Sequence, residues 1–229
     1  MSSFVFEPAP QAAVAVRGTS ALFPARRVYC VGRNYAAHAI EMGHDPNREP
    51  PFFFMKTPDA LLPDGSVFPY PPETSDVHHE IEMVAALSGG GVNISEEDAL
   101  SLVFGYAVGI DFTRRDLQAE AKKLARPWEV GKAFDHAAPC GTITPASEIG
   151  HPTKGAVTLD VNGKRRQTGD LDQLIWTLPE MIAGLSRLFE LRPGDLIFTG
   201  TPSGVGPVVK GDRLEGRVEG VGTLSIAVG

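Results

Sequence analysis

Cysteine is scarce here: Cys30 and Cys140 are the only two among 229 residues. The opening MSSFVFEPAP has no basic stretch followed by an apolar run, so no secretion signal is expected. The two thiols therefore read as free cytosolic side chains, placing the protein in the cytoplasm. Two cysteines so far apart also argue against a structural zinc site. Positive charge is in deficit. With 21 Lys and Arg against 28 Asp and Glu, the formal charge is −7. That argues against a nucleic-acid partner, because phosphate binding wants a basic face. It leaves anionic small molecules open, since a local group of Arg and Lys overrides the global sign. No apolar run reaches the roughly 20 residues that cross a bilayer, so no membrane partner is expected. Repeats and low-complexity tracts are missing as well.

Turn-formers, by contrast, are plentiful. The 25 Gly and 19 Pro fall between short β-rich runs, a pattern that predicts a mainly β protein with peripheral helices, an α+β fold. Residues 1–27, rich in Pro and Ala, are expected to form a short N-terminal segment packed on a main domain of residues 28–229. Strands are expected over Arg27–Gly32, Phe52–Lys56, Glu80–Leu87, Phe104–Phe112 and Asp195–Gly200, with a β-rich tail from Asp212 to Val228. Helices are expected over Asn34–Met42, from a Ser95 N-cap through Val103, over Thr113–Leu124, and from Leu178 to Phe189. Asn162-Gly163, between Val157–Val161 and Lys164–Thr168, is a strong hairpin signature.

The chemistry begins with carboxylates. In a strand, side chains two apart share a face, so Glu80 and Glu82 aim at one place while Ile81 enters the core. Asp111 ends another apolar strand, where a carboxylate is out of place. If those strand ends meet, three carboxylates share a pocket, and a bound cation offsets the cost of burying them. An all-oxygen ligand set suits Mg²⁺, Mn²⁺ or Ca²⁺. Taken alone, a Glu-x-Glu pair more often marks a solvated edge strand.

Five ordered blocks decide between these readings. They are Val31-Gly32-Arg33-Asn34-Tyr35-Ala36-Ala37-His38, His79-Glu80-Ile81-Glu82, Gly109-Ile110-Asp111-Phe112-Thr113-Arg114-Arg115-Asp116, Gly131-Lys132-Ala133-Phe134-Asp135, and Thr199-Gly200-Thr201-Pro202-Ser203-Gly204-Val205-Gly206. Together they resemble the fumarylacetoacetate hydrolase family over roughly residues 28–228. The runs GHDPNREPPFFFMKTPDAL and RPWEVGKAFDHAAP most resemble the branch that hydrolyses fumarylpyruvate in gentisate breakdown. Other branches act on other acylpyruvates, or on oxaloacetate as decarboxylases or tautomerases.

The resemblance implies a mixed β-sandwich roll, usually a homodimer, and a metal-dependent hydrolase of carbon–carbon bonds in 1,3-diketo acids. It implies Glu80, Glu82 and Asp111 as ligands of a divalent cation, Mg²⁺ or Mn²⁺. It implies a His38–Glu41 pair that activates water, Lys132 as a third catalytic group, and Arg33, Arg115, Gln118, Gly200 and Thr201 near the substrate. Arg33, Arg115 and Lys56 are the alternatives for meeting a distal carboxylate. The polar stretch from His38 to Pro51, with Gly43 as hinge, is expected to act as a lid. His44, Asp45, Asp135 and His136 have no derivable role. A metal-binding protein without catalysis is the alternative of a different class; it predicts no turnover of any diketo acid with metal present.

Overall fold

The computed structural model describes residues 4–41 and 50–229. Most of the expected lid, with His44 and Asp45, lies outside the described residues.

The strands that carry the carboxylates run through the middle of an eight-stranded sheet. Its order is Phe52–Lys56, Arg27–Gly32, Asp195–Phe198, Ile81–Leu87, Val103–Ile110, Ala138–Cys140 and Leu61–Pro63, with Thr144–Pro145 also paired to Val103–Ile110. Both faces are buried, which is why these strands read as continuous apolar runs rather than alternating ones. Tyr29, Val31, Met83, Ala85, Val108 and Ile197 point into one core. Val28, Cys30, Val84, Ala86, Ala107 and Phe198 point into another. The main core is closed by a five-stranded sheet, ordered Lys164–Asp170, Ala156–Val161, Arg213–Val218, Gly222–Val228 and Val67–Phe68. It contributes Val157, Leu159, Leu214, Leu224 and Ile226 to that core. On the other face, the N-terminal strands Ala13–Ala15 and Leu22–Pro24 pair antiparallel and bury Val14 and Phe23. Both cysteines are buried and free. No helix among the described residues is long and apolar enough to cross a membrane.

Local sequence rules account for most elements. Asn162 and Gly163 both adopt positive φ, 52° and 71°, as a tight hairpin turn of opposite hand requires. Ser95 caps the helix Glu96–Ala99 by accepting from the Asp98 N–H. The helix Leu178–Leu188 opens on a Thr177–Glu180 capping box.

The differences are short and have local causes. The helix expected from Thr113 starts later, at Arg115, because Thr113–Arg114 pairs instead with a strand at Val77–His79. The helix expected from Asn34 is confined, in the described residues, to Ala36–Glu41, since Asn34 spends its side chain and carbonyl on Trp176 and Ile175. The four-residue helix Glu129–Lys132 was not expected; so short a piece leaves no periodicity to read.

Candidate active site

Strand pairing assembles the three carboxylates. Ile81 lies opposite Ile110 and Glu82 opposite Gly109. One residue further, the Asp111 N–H donates to the Glu80 carbonyl at 2.8 Å. Ile81 is fully buried in the main core, as strand parity requires, and Glu80, Glu82 and Asp111 are 6%, 2% and 0% exposed. One oxygen from each lies within 4.8 Å of the others.

The charge balance differs from the simple expectation of three unpaired carboxylates. Lys132 Nζ donates to Glu80 Oε2 at 2.9 Å, Asp111 Oδ2 at 2.7 Å and Thr113 Oγ1 at 2.6 Å. Arg115 pairs with Glu80 Oε1, and Lys56 Nζ lies 2.8 Å from Asp111 Oδ1. That last contact is an ion pair without hydrogen-bond geometry, so Oδ1 is left with no directed donor. Burial pushes the Glu80 carboxyl up, but Lys132 and Arg115 outweigh it and hold it well below the usual carboxylate range. Glu82 is the exception. Its partner is the Gly200 N–H at 2.7 Å, and burial, then Asp111 and Glu80, push its pKa well up. The need for a further cation therefore centres on Glu82. Three buried carboxylate oxygens, one from a residue without a close cation, fit a hard divalent ion and suit zinc poorly.

Around this centre one pocket gathers most of the residues singled out from the sequence. Its wall includes Arg33, His38, Glu80, Glu82, Asp111, Arg115, Gln118, Lys132 and Thr201. Glu41 and Gly200 act from just behind. His38 is 7% exposed and its Nδ1 lies 3.3 Å from Glu41 Oε2. The Glu41 carboxylate accepts in turn from the Gly204 N–H, at 3.0 and 3.1 Å. Gly204 has φ 93°, and a Cβ there would stand 2.2 Å from the Arg166 carbonyl. Only glycine lets that turn reach Glu41. A carboxylate can only accept, so it places the His38 proton on Nδ1 and leaves Nε2 as the proton acceptor.

Two lysines occupy positions that the sequence left open. Lys132 is 2% exposed, not a surface residue. Its three N–H donors are all spent on the protein, so as placed it tunes the carboxylates and has no donor left for a substrate oxygen. Lys56 is also 2% exposed; besides Asp111 it meets the carbonyls of Phe112, at 3.0 Å, and Lys132. It therefore supports the carboxylate centre and does not reach a distal substrate group.

Sequence reasoning missed Gln167 altogether. Its neighbours Lys164, Arg165 and Arg166 are exposed, and a Gln among them looks solvated. Yet Gln167 is fully buried, with every amide group used. Oε1 accepts from the Ile81 N–H at 3.1 Å and from His79 Nδ1 at 2.9 Å. Nε2 donates to the Pro202 carbonyl at 2.9 Å and to Thr201 Oγ1 at 2.8 Å. The Ile81 N–H and the Pro202 carbonyl, each of one polarity, fix which way the amide faces. Thr201 Oγ1, which lines the pocket, is thus an acceptor toward Gln167 and keeps its own proton for another acceptor. Gln167 ties the strand bearing Glu82 to the turn that holds it. Replacing Gln167 with Leu, of similar volume, strands several buried polar groups and is expected to destabilise by about 2–4 kcal/mol. Urea unfolding should show a lower midpoint with an unchanged slope; an unchanged midpoint would mean that the neighbours re-pair without it.

Comparison with known proteins places this architecture. Residues 27–228 match the family model described as fumarylacetoacetate (FAA) hydrolase C-terminal. A fumarylpyruvate hydrolase of Ralstonia sp. is 45% identical over 185 residues, covering 81% of this chain and 96% of the relative. The oxaloacetate tautomerase YcgM of Escherichia coli K12 is 38% identical over 199 residues, covering 86% and 90%. The crystal structure of fumarylpyruvate hydrolase from Pseudomonas aeruginosa in complex with Mn²⁺ and pyruvate superposes with a TM-score of 0.97 at 53% identity over 99% of both chains. The chain belongs to the fumarylacetoacetate hydrolase family.

Proposed function

We propose that the protein is a metal-dependent hydrolase that cleaves the carbon–carbon bond of an acylpyruvate, with fumarylpyruvate as substrate and fumarate and pyruvate as products. The observation that carries this reading is the meeting of a buried carboxylate triad and a His–Glu pair in one pocket. The Pseudomonas aeruginosa fumarylpyruvate hydrolase, crystallised with Mn²⁺ and pyruvate, supports it. The finer parts of the reading are Mg²⁺ as an equivalent metal, a place in gentisate breakdown, a homodimer, and residence in the cytoplasm. In domain terms, residues 28–229 form the catalytic unit and residues 1–27 pack upon it.

A divalent cation held by Glu80, Glu82 and Asp111 would supply Lewis-acid stabilisation of the charge that develops on the pyruvate half. The protein's own groups supply the rest. Glu41 holds the Nδ1 proton of His38, and His38 Nε2 takes a proton from water. The water oxygen bonds to the acyl carbonyl carbon while the Thr201 hydroxyl donates to that carbonyl's oxygen. The bond to the pyruvate methylene then breaks, its electron pair stays with the pyruvate half, and the proton on His38 returns to that carbon. The likeness to oxaloacetate tautomerases favours a second reading, in which the same centre enolises a shorter keto acid and no water attacks.

The decisive assay follows loss of the enol absorbance of fumarylpyruvate, of acetylpyruvate and of oxaloacetate, with Mn²⁺ and with chelator. Metal-dependent loss of fumarylpyruvate, yielding fumarate, is expected. If oxaloacetate alone is consumed, the second reading replaces the first; if nothing is consumed, the protein is a metal binder.

A further inference from the structure

One charged group in the pocket wall has no task in this mechanism. Lys122 lies in the last turn of the helix Arg115–Lys123 and is half-buried. Its ammonium stands 5.0 Å from the centre of the Trp128 ring. Three other cations near the carboxylates are occupied. Arg115 holds Glu80 and Gln118, Lys132 holds three acceptors, and Lys56 holds Asp111 and two carbonyls. Among the described residues Lys122 has neither an ion pair nor a hydrogen-bond acceptor for its ammonium.

Its surroundings repel it. Burial, then Arg115, Arg33 and Lys132, push its pKa down, and Glu80 alone pulls the other way. A half-buried ammonium with unused donors, beside charges of its own sign, is costly until an anion arrives. Arg33 lines the same pocket and sits in the left-handed region at φ 58°, a conformation unfavourable for a non-glycine residue. The intervening wall is flat and aromatic. Phe54 and Trp128 line the pocket, and Phe52 packs edge-on against Trp128 at 4.9 Å. Planar walls of this kind suit a planar unsaturated segment.

We infer that Lys122, beside Arg33 and against Trp128, forms a second anion site in the pocket, which takes the distal carboxylate of a dianionic acylpyruvate. The inference rests on the hydrolase reading and deepens it by naming the group that recognises the second carboxylate of the substrate. Lys122 is a specificity-determining residue and takes no part in bond making.

Two measurements test it. In the first, kcat/KM is compared for fumarylpyruvate, a dianion, and acetylpyruvate, a monoanion. Lys122→Met should lower the ratio of the two about 10- to 100-fold, the range for loss of one charge-assisted hydrogen bond. Lys122→Arg should restore much of it. An equal fall on both substrates, or no fall, overturns the assignment. In the second, fumarate and crotonate, which differ by one carboxylate, are titrated into Mn²⁺-loaded protein containing pyruvate, with Trp128 fluorescence as readout. Fumarate should bind Lys122→Met at least tenfold more weakly, with crotonate affected far less. An unchanged fumarate affinity overturns the anion site whether or not the protein turns over. Failure of the wild type to hydrolyse either diketo acid, with fumarate discrimination intact, overturns the hydrolase reading alone.

Discussion

His38→Ala should lower kcat for fumarylpyruvate about 100- to 10,000-fold, the usual contribution of a positioned general base, while Mn²⁺ affinity stays at its wild-type value. The ring is almost fully buried, lines the pocket of the carboxylates and is oriented through Nδ1 by Glu41, which is held by the Gly204 turn. Glu41→Ala should reduce kcat less, because it removes only the orientation of the ring and leaves the base. Calorimetric metal titration separates this from collapse of the site. Undiminished hydrolysis by His38→Ala would remove His38 as the base.

Mn²⁺ at a hundred times its Kd should raise Tm by about 5–10 °C, from about 2.7 kcal/mol of binding linkage and 2–4 °C per kcal/mol for a chain of this size. Glu82→Gln should erase that rise. Of the three carboxylates, Glu82 is the one whose partner is a backbone N–H, from Gly200, and not a lysine or arginine. The amide oxygen of Gln can still accept that bond, so the metal-free variant should unfold at or above the wild-type temperature. Glu80→Gln should behave differently. It leaves Arg115 and Lys132 short of an anion, and breaking a buried pair from one side costs about 3–5 kcal/mol. Differential scanning fluorimetry with and without chelator reads both variants. A full Mn²⁺ shift in Glu82→Gln would take Glu82 out of the ligand set.

The elements that carry the site were legible in the linear chain where a single local rule governed them. Period-two alternation placed Glu80 and Glu82 on one side with Ile81 in the core, and an uninterrupted apolar run announced a strand buried on both faces at Arg27–Gly32. Asn162-Gly163 named its turn outright. Local rules failed where a few residues answered to distant partners. Thr113–Arg114 became strand because Val77–His79 lay beside it, and Glu129–Lys132 was too short to show a period.

The residue types of the centre, three carboxylates with a His–Glu pair three apart on a helix, were determined by the sequence itself, because hard-ion and proton-transfer chemistry accept few alternatives. Which cations serve which anions was decided only by the tertiary structure. Lys56 and Arg115 stood beside Arg33 as alternatives for a distal carboxylate, and Lys132 as a separate catalytic group; burial and distance commit Lys56, Lys132 and Arg115 to the carboxylates and leave Glu82 without a close cation. The same packing turned Gln167 from an apparent surface residue into the link between a strand and the Gly200–Thr201 turn. Hydrogen-bond satisfaction and charge pairing depend on separations of about 3 Å between residues far apart in sequence, and no pattern along the chain encodes those separations.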